Sequence, residues 1–291
     1  MKIGLFVNTN RDKDYECASR AVDAILKCGA VPVLRPHDEA VYPHKTDGLL
    51  FDRFDKAGLD VVISIGGDGT FLAMVSELRD IDADFIGINK GSIGFLAQVN
   101  ADDIEDSIRS IASHDYNTIA RSRLFVRVYN RNGELKGEDV CLNDCAISRG
   151  AKLHVTKLLL KINGQNVERF FGDGLVIATA TGSTAYSLSA GGPLVMPDMP
   201  DIIITSVCSN TFQDISYVVG PDSTIEVEVE AFETAPIICP DGRDFVAIEP
   251  EDRIVITRHN KTVNTIMIGG DSFFNDVRRK LVRRGSFYEN S

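Results

Sequence analysis

The sequence predicts an α/β first half built on a parallel sheet, then a β-rich, sandwich-like second half and a closing amphipathic helix. Three observations carry this. Up to about residue 118, apolar strand-like runs alternate with amphipathic helices, the pattern of a parallel sheet covered by helices on both faces. Beyond that point helical periodicity nearly vanishes, and short strand-like runs follow one another between turn residues. Third, Val61-Val62-Ile63-Ser64-Ile65 stops at Gly66-Gly67-Asp68-Gly69-Thr70 and continues into Phe71-Leu72-Ala73-Met74-Val75, giving a strand, a glycine turn and a helix start in succession.

Lys2–Val7 reads as the first strand; it runs directly into polar Asn8-Thr9-Asn10 and so does not resemble a signal peptide. Residues 12–28 form an amphipathic pattern closed by Gly29, Val31–Leu34 is a short strand, and 60–65 is the strand that ends in glycines. Asp84–Asn89 is a further strand and 101–114 a further helix. In the second half, strands are expected at Leu124–Tyr129, 140–147, 153–162, 175–179, Ile202–Val207, 224–229, 245–248 and 253–257. The alternation Ile225-Glu226-Val227-Glu228-Val229-Glu230 marks a half-exposed antiparallel strand. The last element, 271–284, carries Phe273, Phe274, Val277 and Leu281 on one face. Its basic end, Arg278-Arg279-Lys280 and Arg283-Arg284, suits a helix C-terminus and reads as a solvated face.

Composition narrows the classes. With 291 residues, 44% hydrophobic and 25% charged, the chain has ample material for a core and the balance of a soluble globular protein. A net charge of −11 argues against a broad nucleic-acid or acidic-membrane surface, while leaving room for a local nucleotide pocket. No apolar run approaches the roughly 20 residues of a membrane helix. The six cysteines show no C-x-x-C spacing, so reduced thiols and a cytoplasmic setting are expected, with no residues assigned as metal ligands.

Two segments carry chemistry. In the first, Gly66, Gly67 and Gly69 allow close backbone approach, and the following helix start aims N–H groups at a phosphate. Asp68 is out of place beside phosphates unless a divalent cation or a reacting hydroxyl faces it. A helix cap at Asp68 and a plain tight turn would explain the same residues structurally. The second segment, 172–193, is almost entirely small and hydroxylated from Ala178 to Gly192, so that it can lie flat against a ligand, and Tyr186 could pack on a planar ring. Asn143-Asp144 is a third, weaker candidate that a turn would also explain. No G-x-G-x-x-G follows a strand, which speaks against a dehydrogenase, and nothing suggests the membrane entrance that a lipid kinase needs.

Together these residues resemble the NAD kinase family. The resemblance is carried by Gly66-Gly67-Asp68-Gly69-Thr70, Gly94-Phe95-Leu96 after Gly91-Ser92-Ile93, Asn143-Asp144, the 172–193 segment, Asp241-Gly242, and the Phe273-Phe274…Lys280-Leu281 helix. It implies a Rossmann-like parallel sheet in residues 1–118 that binds nucleotide phosphates. It also implies a β-rich domain in 119–268 for NAD binding and oligomerisation, and a helix in 269–291 returning to the first domain. The implied reaction moves the γ-phosphoryl group of ATP to the 2′-hydroxyl of the adenosine ribose of NAD, giving NADP. By the same resemblance Asp68 is catalytic, and Gly66, Gly67, Gly69 and Thr70 hold ATP phosphates. Phe95, Asn143, Asp144, Asp173, Thr181, Thr184, Ala185, Tyr186, Ser189 and Asp241 form the NAD site. Mg2+ held mainly through ATP, and a homotetramer or homodimer, are also implied. Three positions depart from the family pattern: Asp144 stands where the family has Glu, Ala180 replaces a proline, and Cys208-Ser209-Asn210 lacks the family's histidine.

Overall fold

The β-branched run before the glycine turn lies near the middle of an eight-stranded sheet, where both faces are covered and an unbroken apolar strand is favourable. The computed structural model describes residues 1–44, 47–91, 94–150, 155–210, 215–230, 235–268 and 273–285, with 279 and 281–285 described by backbone alone. Ser92, Ile93, Leu153, Thr211, Phe212 and Asp271, all singled out from the sequence, lie outside the described residues. The chain divides into two compact units, Met1–Ile119 with Val263–Ser291, and Ala120–Thr262.

In the first unit the strand order is Leu50–Phe51, Val31–Leu34, Lys2–Val7, Val61–Gly66, Asp84–Asn89, Val263–Met267 and Asn117–Arg121, with Val99–Asn100 also pairing with Asp84–Asn89. The pairings from Leu50–Phe51 to Asp84–Asn89 are parallel, as the alternation of strands and helices predicts. Ile3, Leu5, Ile63, Ile65, Ile86 and Ile88 from the central strands share one core with Ala18, Val22 and Ile25 of the helix Glu16–Lys27 and with Ile104, Ile108 and Ile111 of the helix Ile104–Ala112.

The first helix is shorter than the pattern at 12–28 suggests. Asp14 and Tyr15 adopt left-handed backbone angles (φ 55 and 56), and the α-helix starts at Glu16. The fully buried Asp12 carboxylate replaces an ordinary cap by accepting the N–H groups of Cys17 and Ala18, each at 2.9 Å. The expected helix at 101–114 is a 3-10 turn, Ala101–Asp103, followed by Ile104–Ala112.

The second unit holds two antiparallel sheets. One runs Tyr217–Val219, Ile202–Val207, Gly174–Thr179, Asp144–Ser148 and Ile237–Pro240; the other runs Gln165–Gly172, Thr156–Ile162, Ile225–Val229, Arg253–Arg258, Leu124–Tyr129 and Leu135–Cys141. Alternate residues of both, among them Leu124, Val126 and Val128 with Leu175, Ile177, Ile202 and Ile204, form one core, which is the sandwich the sequence predicts.

Several strands depart from expectation. The run 140–147 is two strands in two different sheets, Leu135–Cys141 and Asp144–Ser148. The N–H groups of Leu142 and Asn143 go to the Asp241 carboxylate instead of a ladder, and the chain changes sheets there. Residues 245–248 form no strand; Phe245, Val246 and Ile248 pack on the core without pairing, so their apolar pattern reports burial alone. Gln165–Gly172 pairs with Thr156–Ile162 through Asn163-Gly164, both at positive φ (51 and 76), and that Asn-Gly pair is the signal for this hairpin. In the closing helix, Phe273–Gly285, Phe274 is 63% exposed, so the expected apolar face is only partly used.

Gly87 shows how tightly the first sheet is covered. A β-carbon there would stand 2.7 Å from the Ala97 Cα and 3.0 Å from its Cβ. Gly87→Ala is expected to destabilise the fold by about 1–3 kcal/mol, read as a lower urea midpoint.

Candidate functional site

The Val61–Gly66 strand delivers the chain into the glycine turn at the C-terminal edge of the parallel sheet, where open α/β folds place their ligands. Gly66 has no alternative, because a β-carbon would overlap the Thr70 hydroxyl. Gly67 is the N-cap of the helix Asp68–Glu77, in extended conformation. The buried Thr70 Oγ1 accepts hydrogen bonds from Asn8 Nδ2 (3.0 Å) and from the Gly67 N–H (3.4 Å), fixing the turn on the first strand's exit. A β-carbon on Gly69 would meet nothing within 4 Å, so the outer side of the turn is open.

Asp68 does not cap its helix. Its carboxylate turns to the following loop and accepts three successive backbone N–H groups, from Phe95 (2.8 Å), Leu96 (3.0 Å) and Ala97 (2.9 Å). Gly94 is obligatory beside it, since a β-carbon would overlap the carboxylate. A carboxylate offers about four acceptor sites, so about one remains for a ligand. The Phe95 ring lies under the Lys280 ammonium of the closing helix, 4.3 Å from ring centroid to Nζ. Lys280 is 7% exposed; the basic stretch read as a solvated face is buried at this residue, while Arg278 remains exposed.

The second unit repeats the device. Asp241, itself at positive φ (46), accepts the N–H groups of Leu142 (2.8 Å), Asn143 (2.7 Å) and Asp144 (3.3 Å), with Arg243 at 3.6 Å. Its pKa is raised by burial, opposed by those N–H groups and by Arg243. Asp144 is pushed up to about 7 by burial and then by the Asp241 charge, against the pull of the Tyr186 backbone N–H. Asn143 Oδ1 is buried and has no hydrogen-bond partner among the described residues, which leaves an acceptor for a hydroxyl donor.

The small-residue segment closes on this pair. Thr179 Oγ1 donates to the Leu142 carbonyl at 2.6 Å and accepts the Gly182 N–H at 3.1 Å. A β-carbon on Gly182 would overlap the Asn143 carbonyl. Thr181 and Thr184 are buried; the Thr184 hydroxyl donates to the Thr181 carbonyl (3.1 Å), and the buried Arg121 guanidinium donates to Thr181 Oγ1 (3.2 Å). Ala185 is half-buried, Tyr186 is 41% exposed and Ser189 is exposed. Asp173 pairs with Arg149 at 2.8 Å.

The structure thus brings Gly66, Gly67, Asp68, Thr70 and Phe95 together in one unit, and Asn143, Asp144, Asp241, Thr181 and Tyr186 in the other. Asp173 and Ser189 lie at the margins of the second group. Sequence reasoning missed Asn8, Arg121, Arg149 and Thr179. Of these, Asn8 carries a signal in its position directly after the first strand of a parallel sheet, and Thr179 in its place within the small, hydroxylated stretch from Ala178 to Gly192.

A parallel-sheet strand ending in a glycine turn at a helix N-terminus is the architecture of nucleotide-phosphate-binding proteins. Residues 3–116 match the model of the ATP-NAD kinase N-terminal domain, and residues 142–268 match that of the ATP-NAD kinase C-terminal domain. The chain is 33% identical over 286 residues to the NAD kinase of Acetivibrio thermocellus, covering 98% of each. It is 34% identical over 284 residues to that of Ruminiclostridium cellulolyticum, covering 97% of this chain and 98% of the relative. In fold it is similar to yeast NADH kinase complexed with NADH (TM-score 0.87, 19% identity, 100% of this chain and 89% of that one). It is also similar in fold to an NAD kinase from Archaeoglobus fulgidus in complex with ATP (TM-score 0.73, 23% identity, 96% and 98%). The chain belongs to the ATP-NAD kinase family.

Asp144 makes stability depend on pH. Its folded pKa of about 7 lies above the ordinary 3.8, so the unfolded chain releases this proton first. The folded state therefore loses stability as pH rises from about 4 to about 7 and changes no further from this group above that. Asp144→Asn should flatten that dependence and raise the urea midpoint near pH 8, measured by denaturation of both proteins between about pH 5 and about pH 8.

Proposed function

We infer that this chain is an ATP-dependent NAD kinase, moving the γ-phosphoryl group of ATP to the 2′-hydroxyl of the adenosine ribose of NAD to give NADP. The observation that supports the chemistry best is the Asp68 carboxylate, held by three N–H groups beside an open glycine turn, with acceptor capacity left for one hydroxyl. Phosphoryl transfer asks a protein mainly for positioning and charge stabilisation. Asp68 orients the attacking hydroxyl and takes its proton late in the transfer. Gly66, Gly67, Gly69 and Thr70 hold the ATP phosphates at the start of the helix Asp68–Glu77.

On the NAD side, Asn143 and Asp144 grip the hydroxyls of the nicotinamide ribose, for which the buried Asn143 Oδ1, with no partner among the described residues, is a ready acceptor. Phe95 packs on adenine, and Thr181, Thr184, Ala185, Tyr186 and Ser189 line the pockets. Asp241 acts by shaping the Asn143-Asp144 corner, since three N–H groups already occupy its carboxylate. Asp173 adds a carboxylate close by, tied to Arg149. Mg2+ takes oxygen ligands and keeps several waters, so it would be held mainly through the ATP phosphates, where it would supply charge neutralisation. In this reading residues 1–118 serve phosphate binding, 119–268 serve NAD binding and self-association, and 269–291 belong with the first domain. The setting is the cytoplasm.

The test is NADP formation from NAD and Mg-ATP, coupled to an NADP-specific dehydrogenase, with Asp68→Asn alongside. The variant keeps one oxygen for two of the three N–H groups and turns an amide NH2 toward the third. Turnover should fall by roughly a hundredfold or more, with NAD affinity by calorimetry held within a few-fold. Near-normal turnover would remove Asp68 from its role, and NAD binding without NADP formation by the wild type would favour a nucleotide sensor. Light scattering is expected to give a homotetramer or homodimer; a strictly monomeric active enzyme would contradict the assigned self-association.

A further inference from the structure

We propose that Lys280, on the closing helix, is a positioning residue for phosphoryl transfer that acts through Phe95 on Asp68; the proposal rests on the kinase reading above. The chain of contacts is short. The Lys280 ammonium lies 4.3 Å from the Phe95 ring centroid. The Phe95 N–H donates to Asp68 Oδ2 at 2.8 Å, and the next two N–H groups of the same loop hold Oδ1. Side chain and backbone of Phe95 therefore face two different masters, the helix and the carboxylate.

Lys280 is 7% exposed, and it shares its buried helix face with Asp276 and Val277, one turn or less away. A cation on an aromatic face is worth most when desolvated, and burial provides that condition. Gly94 cannot carry a side chain, so the loop has no β-carbon of its own to brace it against Asp68 on that side. The brace comes instead from the Phe95 ring, seated against the ammonium. With one ring face committed to Lys280, the ring is set at a fixed angle for whatever stacks on its other face. Lys280 is buried while its neighbour Arg278 is exposed.

The test is a double-mutant cycle in kcat for NADP formation, using Lys280→Met, Phe95→Leu and the double variant, with Lys280→Arg as the conservative control. Lys280→Met should lower kcat by roughly tenfold, the loss expected for one desolvated cation–π contact. Lys280→Arg keeps a cation over the ring and should stay within about twofold of the wild type. The double variant should be no slower than Phe95→Leu alone, because a residue acting through Phe95 has nothing left to act on. Thermal melts of all four variants should show them folded; a merely structural lysine would lower stability without this kcat pattern. A double variant that loses the product of the two single losses, or a Lys280→Met enzyme with unchanged kcat, would overturn the coupling alone. A wild type that forms no NADP would overturn the kinase reading and this inference with it.

Discussion

Phe95, Leu96 and Ala97 donate successive N–H groups to Asp68, and Leu142, Asn143 and Asp144 donate theirs to Asp241. In each unit a carboxylate does what a helix or a ladder would otherwise do, satisfying consecutive backbone donors in a segment that has left regular structure. Charge-assisted bonds of this kind are about twice as strong as neutral ones, which is why a loop can be held to a fixed shape by one side chain. Gly242, directly after Asp241, has a positive φ (71) and lets the chain turn away there, whereas Gly69, after Asp68, continues the helix Asp68–Glu77. The remainder of each candidate site hangs from these two loops: Phe95 in the first, Asn143 and Asp144 in the second.

Close backbone approach is the second constraint. Gly66, Gly94 and Gly182 each sit where a β-carbon would overlap a group of the site itself: Thr70, Asp68 and the Asn143 carbonyl, respectively. Such positions cannot be read as flexible. They are where two segments touch at backbone distance, and flexibility is the feature they lose on folding.

The Asn143-Asp144 corner carries a cost that fold stability alone would not retain. Asp144 is buried beside a second carboxylate, and both push its pKa up to about 7, while Asn143 Oδ1 has no partner among the described residues. A buried acceptor such as Asn143 Oδ1 has most to gain from a ligand that supplies a hydroxyl donor. A chain that keeps both is trading stability for recognition.

Much of this was legible in the residues. Lys2–Val7, Val31–Leu34, Asp84–Asn89, Leu124–Tyr129 and Ile202–Val207 have the bounds their apolar patterning predicts, because side-chain periodicity is a local property that burial imposes residue by residue. The glycine turn and the small-residue segment were equally visible, since only glycine and small residues allow such approaches. What tertiary structure alone decided was partnership. The run 140–147 splits because a residue nearly a hundred positions away, Asp241, captures its donors. Residues 245–248 look like a strand and pair with nothing, Val263–Met267 joins a sheet begun at Lys2, and Lys280 is buried on Phe95 in the midst of a basic stretch. A sequence records what each residue prefers to touch; which donor reaches which acceptor is settled only when distant segments compete for the same space.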